Sequence, residues 1–374
     1  MSRDIVIAGG GLIGLGVAWR CAQAGLSVTV VDEAPGIGAS WAAAGMLAPV
    51  SEVGFGEEAL LTLCRASLDR FPGFVAEVQA TSGIDVGLRA AGTLLVGFDT
   101  DDLRVLEDLR AYQCELGLTV EQLTPRDARR REPALSPRIR CALAVAGDHS
   151  VDARALHAAL LVAAEAGGAR VVRSRIAALR VRDGRATGLD LTDGSEVLAE
   201  TVVLALGAHT ATLPGVPALD VRPVKGQILR LAGADGLLAG TVRAVVRGRP
   251  VYLVPYGVGR LIVGASVEER GFDATVTAGA IHELLRDAIE VVPGVTELEL
   301  VESLARWRPG TSDNAPLLGA SSMPGLVLAA GHYRNGVLLT PVTAEVITEL
   351  LTSGRTPQLA APFGPERHTE RSRP

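Results

Sequence analysis

Arg334 stands inside AGHYRNGVLLTP, residues 330–341, an otherwise apolar stretch in which His332, Tyr333 and Arg334 precede Asn335, Gly336 and a helix-like apolar run. Burying an unpaired guanidinium is costly, so the pattern predicts an anion held at that place. Near the other end of the chain, Gly9, Gly11 and Gly14 have G-x-G-x-x-G spacing. Such spacing suits a turn that brings backbone N–H groups against a pyrophosphate, with the third glycine letting a helix lie close to a sheet. Asp32, at the end of the next apolar run, can accept hydrogen bonds from ribose hydroxyls, which disfavours a ribose phosphate and hence NADP. FAD and NAD both stay open on these residues.

Those groups need elements to hold them. The segment IVIAGGGLIGLGVAWRCAQAGLSVTVVDEA reads as a buried strand, the glycine turn, a helix and a second strand ending at Asp32, so the glycines and Asp32 fall within one βαβ unit. EEALLTLCRASLDRFPGFVAEVQ reads as an amphipathic helix, AAGTLLVGF as a strand, DTDDLRVLEDLRAYQCELG as a helix and CALAVAGDHS as a strand. DARALHAALLVAAEAGGARVV supplies a helix and a strand that return to the nucleotide fold. From about 222 to 300, apolar strands surround the helix AGAIHELLRDAIEVVP. The expected class is α/β: a Rossmann-like domain from residues 1–86, 150–221 and 302–355, and a mixed-sheet α+β domain from 87–149 and 222–301. Both are discontinuous, and 356–374 is expected to be a disordered tail.

A chain of 374 residues with 48% hydrophobic content and net charge -6 suits a globular protein handling small molecules, with no bulk charge for nucleic acid. Cys21, Cys64, Cys114 and Cys141 are scattered without a CxxC pair or a nearby histidine, so reduced cysteines and no metal are expected. No secretory leader, membrane span or repeat is apparent, and the expected location is cytoplasmic. A homo-oligomer is the expected assembly. Asp148, His149 and Ser150 are adjacent, which is wrong for a triad whose members converge from separate elements. RDARRREP, 126–133, reads as a solvated helix face.

Small residues crowd APGIGASWAAAGMLAP, 34–49, a loop that lets backbone lie against a flat ligand. This loop resembles the region after the dinucleotide fold in the D-amino-acid oxidase family of flavoproteins, specifically the AAAGM of glycine oxidases. The similarity continues in order through RPVKGQIL (222–229), VYLVP (251–255), GRLIVGAS (259–266), WRPGTSDNAPLLG (307–319) and GHYRNGVLLTP (331–341). TVVLALGAHT, 201–210, is similar to a returning strand and turn, although the family usually has tryptophan where His209 stands. Pro250 and Val267 replace residues that in relatives border the substrate pocket, and are expected to change its wall.

The resemblance implies non-covalent FAD. It adds Leu12, Ile13, Glu33, Ser40, Ala44, Gly45, Met46 and Ile176 to the cofactor contacts, together with His332, Tyr333, Asn335, Gly336, Val337 and Leu338. Residues 335–338 are expected to open a helix whose free N–H groups face the flavin. The resemblance also implies Arg308, Arg334 and Tyr252 as the groups holding an amino-acid carboxylate, for which a planar guanidinium is suited. The implied reaction is oxidation of glycine, sarcosine or a small D-amino acid by dioxygen, within thiamine biosynthesis. A D-amino-acid or sarcosine oxidase, a dehydrogenase with another acceptor, a non-catalytic flavin protein and an NAD dehydrogenase are the alternatives. The last gives the 34–49 loop and the 331–341 stretch nothing to do.

Overall fold

The computed structural model describes residues 4–368. Asp4–Ala8 is flanked by parallel strands Ser27–Val31 and Thr201–Leu204, and the sheet extends in parallel to Arg170–Val172 on one side and Leu326–Ala330 on the other. Leu317–Ala320 closes it as an antiparallel sixth strand. The central strands are buried on both faces, which is why they read as unbroken runs of Val, Ile and Leu. Helices Leu12–Gln23, Glu58–Ser82, Ala153–Ala166 and Thr340–Ser353 share one apolar core with this sheet. Asp152 caps the third of them by accepting from the N–H groups of Arg154 and Ala155.

A second sheet has eight strands in the order Glu299–Gly310, Arg222–Ala232, Arg260–Gly264, Arg249–Tyr256, Thr241–Val246, Thr93–Gly97, Cys141–Val145, Glu121–Leu123. It is antiparallel except where Thr241–Val246 pairs with Thr93–Gly97. Helix Ala278–Val291 packs on it, burying Leu284, Ala288 and Val291 in a second core. Among the described residues no helix is long and apolar enough to cross a membrane.

Four expectations need correction. The domain boundary expected at 302 falls inside Glu299–Gly310, which stays paired with Arg222–Ala232 as far as Gly310. The tail expected to be disordered from 356 forms short 3-10 turns, Gln358–Phe363 and Pro365–His368. Phe363 is buried there in the main core, and Arg367 pairs with Asp313 at 2.9 Å, so one aromatic anchor outweighs the polar composition around it. The part of that expectation beyond 368 lies outside the described residues. The helix expected to open at Asn335 begins at Thr340, after a 3-10 turn over Tyr333–Asn335. Finally, an antiparallel meander of Ile176–Arg182, Arg185–Leu191 and Glu196–Leu198 occupies a stretch for which no strands were expected.

Candidate active site

The glycine turn and the second sheet face one another across a cavity of about 620 Å³. At one end Gly9 has φ +108°, and a Cβ there would overlap the carbonyl of Ala205. A Cβ on Gly14 would overlap the Gly9 carbonyl, so the helix lies against the turn as closely as its backbone allows. The Asp32 carboxylate accepts from Gly10 N at 2.7 Å and Ala34 N at 2.8 Å, which fixes it at the cavity wall. Ser40 Oγ accepts from Leu12 N at 3.1 Å, linking the 34–47 loop to the first turn of the helix.

That loop is tied to the second sheet and to the helix Ala153–Ala166 as well. Arg306 donates to the Ile37 carbonyl at 2.9 Å, Arg154 and Arg230 to the Trp41 carbonyl at 3.0 and 3.3 Å, and Trp41 Nε1 to Glu302 at 3.3 Å. Small residues there let the backbone lie along the cavity. Ala44, Gly45 and Met46 line it together with Gly9, Gly11, Leu12, Ile13, Asp32, Glu33, Ser40 and Ile176. His332, Tyr333, Gly336 and Val337 line the wall between the sheets. Three residues expected at the cofactor do not: Gly14 works through packing, Asn335 turns its carbonyl to Leu339 N, and Leu338 is in the core with its carbonyl bonded to Ser67 Oγ.

The opposite wall is one face of the second sheet. Tyr252 pairs with Gly264, Gly264 with Ile228, and Arg308 with Val224 on the strand that carries Gly226 and Ile228. Strand alternation turns these side chains the same way. A Cβ on Gly264 would overlap the Tyr252 ring, and one on Gly226 would overlap the Arg308 guanidinium. The two glycines therefore form a trough in which both side chains lie. Arg308 donates to the Ser266 carbonyl at 3.1 Å. Burial pushes the Tyr252 hydroxyl up, against the pull of the adjacent Arg308 charge, so it is a hydrogen-bond donor at neutral pH.

Arg334 also lines the cavity, but it is exposed, its guanidinium 5.0 Å from the Tyr333 ring centroid. The burial premise behind its need for an anion is therefore wrong, since the chain turns outward at Tyr333, whose φ is +46°. The buried polar group of that stretch is His332, bonded to Thr343 Oγ1 at 2.9 Å. Burial holds its imidazole down at about 3, against an ordinary 6.5. Unfolded chains take up this proton below 6.5 while the folded chain refuses it, so the associated stability is complete above 6.5 and lost as pH falls toward 3. Wild type should lose about 1 kcal/mol more than His332→Gln between pH 6.5 and 5.5, measured by urea unfolding. Equal losses would remove His332 as the source.

Pro250 and Val267 are both exposed and neither lines the cavity, contrary to the expectation that they border it. His209 does, stacked on Phe272 at 4.4 Å and edge-on to Trp307 at 5.7 Å. Glu52, Arg306, Gly226 and Gly264 also shape the site and were not anticipated.

Residues 4–350 match the family model described as FAD dependent oxidoreductase (DAO). The chain belongs to this family. It is 34% identical over 371 residues to a glycine oxidase of Geobacillus kaustophilus, covering 98% of this chain and 97% of that one. The crystal structure of glycine oxidase from that organism superposes with a TM-score of 0.91, covering 98% of this chain and 100% of the other. A bifunctional protein ThiO/ThiG of Nostoc sp. is 32% identical over 364 residues, 97% of this chain but 55% of that longer protein. FAD is the cofactor of the family, and the glycine turn, Asp32 and the small-residue loop around one elongated set of cavity walls fit such a group.

Proposed function

We propose that this protein oxidises glycine and related small amino acids, with dioxygen as acceptor. The products are the imine, which hydrolyses to the 2-oxo acid and ammonia, and hydrogen peroxide. The observation carrying this reading is the Tyr252 and Arg308 pair, held in the glycine trough on the wall facing the dinucleotide turn. A hydroxyl and a guanidinium on one sheet face are donors suited to a carboxylate. Arg334, at the exposed rim, is the second cation available to it.

Bound FAD would supply the acceptor for a hydride from the α-carbon. Arg308 and Tyr252 would fix the carboxylate and so orient the rest of a small substrate within the cavity that they line. Non-covalent binding fits the lining: among the described residues no cysteine lines the cavity, His332 is bonded to Thr343, and His209 is stacked on Phe272. The names of the relatives support glycine as substrate and a place in supplying the thiazole of thiamine.

Peroxide release and anaerobic bleaching of the flavin should be measured with glycine, sarcosine, D-alanine, D-proline and L-alanine. Glycine and sarcosine should bleach it and release peroxide in air, and L-alanine should do neither. Bleaching by none of them would sink the amino-acid reading. Bleaching without reoxidation by air would make the protein a dehydrogenase with another acceptor.

A further inference from the structure

Three arginines of the second sheet and its neighbouring turn, Arg306, Arg308 and Arg334, line the cavity. Arg306 is engaged by the Ile37 and Ala305 carbonyls, which leaves Arg308 and Arg334 to meet a carboxylate. Among the described residues the cavity wall holds one acid besides Asp32 and Glu33, which belong to the nucleotide end: Glu52. It follows the flavin loop in the chain, and its backbone N–H donates to the Ala48 carbonyl at 3.1 Å, which anchors the turn that presents it.

Its carboxylate is nearly enclosed, with 12% of the side chain exposed, and its one ion pair is a loose 3.4 Å approach from Arg243. Arg243 gives its short bond, 2.6 Å, to the Ser51 carbonyl instead. Among the described residues no group donates a hydrogen bond to the Glu52 carboxylate. Arg243 pairs directly with Tyr252 across adjacent strands, so Glu52 meets this face beside the tyrosine. The Glu52 charge accordingly works against ionisation of the Tyr252 hydroxyl. An enclosed carboxylate that lacks donors is costly unless a donor arrives with the ligand.

We propose that Glu52 recognises the amino group of the substrate, so that the cavity reads a zwitterion at two points: carboxylate at Arg308 and Tyr252, ammonium at Glu52. The assignment rests on the amino-acid reading of the site and deepens it. It makes Glu52 the residue that distinguishes amino acids from hydroxy acids and plain carboxylates of the same size.

The test compares wild type, Glu52→Gln and Glu52→Asp as FAD-loaded proteins. Acetate and glycolate, which have no amino group, are titrated against the visible flavin spectrum, and glycine half-saturation is read from anaerobic bleaching. In Glu52→Gln, glycine and sarcosine half-saturation should rise about tenfold to a hundredfold, the size expected for one charge-assisted hydrogen bond. Acetate and glycolate should bind as in wild type or more tightly, which a merely structural role for Glu52 would not produce. Glu52→Asp keeps the charge and withdraws it by one methylene; it should lose severalfold on glycine alone, and carries the test if the glutamine variant does not fold. Equal losses for acetate and glycine, or no change for either, overturn the assignment while leaving glycine oxidation intact. Wild type that glycine and sarcosine fail to bleach overturns the amino-acid reading and this assignment with it.

Discussion

Gly14→Ala should purify colourless. The added methyl would overlap the Gly9 carbonyl and lie 3.4 Å from the Ala205 Cβ, and neither neighbour can give way. Gly9 is held by its own N–H bond to the Val31 carbonyl at 2.9 Å, and Ala205 by its bond to Ala8. The helix Leu12–Gln23 must therefore lift off the sheet, at a cost of about 1–3 kcal/mol or more for overpacking. Lifting it displaces the N–H groups of its first turn, which the glycine spacing places against the cofactor's pyrophosphate. FAD content, read as the ratio of flavin to protein absorbance, should fall below about a tenth of wild type, since the binding loss adds to the packing cost. Gly279→Ala is the control, because a Cβ there meets nothing within 4 Å. A yellow Gly14→Ala protein with normal flavin content would show that close packing at this turn is not what holds the cofactor.

The nucleotide end was legible in the sequence because its chemistry is local. The strand, turn, helix and acid lie within the first 32 residues, and each restricts the next. The wall around Tyr252 is different. Gly226 and Gly264 are informative only once strand pairing has brought them beneath Arg308 and Tyr252, and a lone glycine in a strand has several ordinary explanations. Glu52 was missed for the same reason, since its meaning comes from Arg243 and Tyr252, both about two hundred residues away in the chain. Pro250 and Val267 were misplaced for different reasons: Pro250 lies two residues before Tyr252 and shares its face of the sheet, but sits at the exposed start of the strand, whereas Val267 lies past the end of Arg260–Gly264 and is exposed. Arg334 shows the reverse error. An apolar context suggested burial, yet the backbone at Tyr333 turns the arginine outward while His332 takes the buried position.

Arg308→Ala should leave the protein yellow and weaken substrate binding about tenfold to a hundredfold, since a charge-assisted hydrogen bond is worth roughly 1.5–3 kcal/mol. The separation of the two effects follows from position. Arg308 lies in the glycine trough on the second sheet and bonds to the Ser266 carbonyl, whereas the phosphate turn and Asp32 belong to the other wall. Arg334, exposed at the rim and without a bonded acid among the described residues, has less to hold it in place, so Arg334→Ala should cost less than Arg308→Ala. Anaerobic flavin reduction at rising glycine concentration separates the contributions. If Arg308 only attracts the carboxylate, half-saturation rises and the limiting rate stays; if it also aligns the α-carbon, the rate falls too. Arg308→Lys distinguishes charge from geometry, because lysine keeps the charge but cannot present the planar fork lying over Gly226. A lysine variant as impaired as the alanine variant would make geometry the controlling property. Unchanged half-saturation and rate in both Arg308→Ala and Arg334→Ala, with normal FAD content, would show that neither arginine holds the substrate.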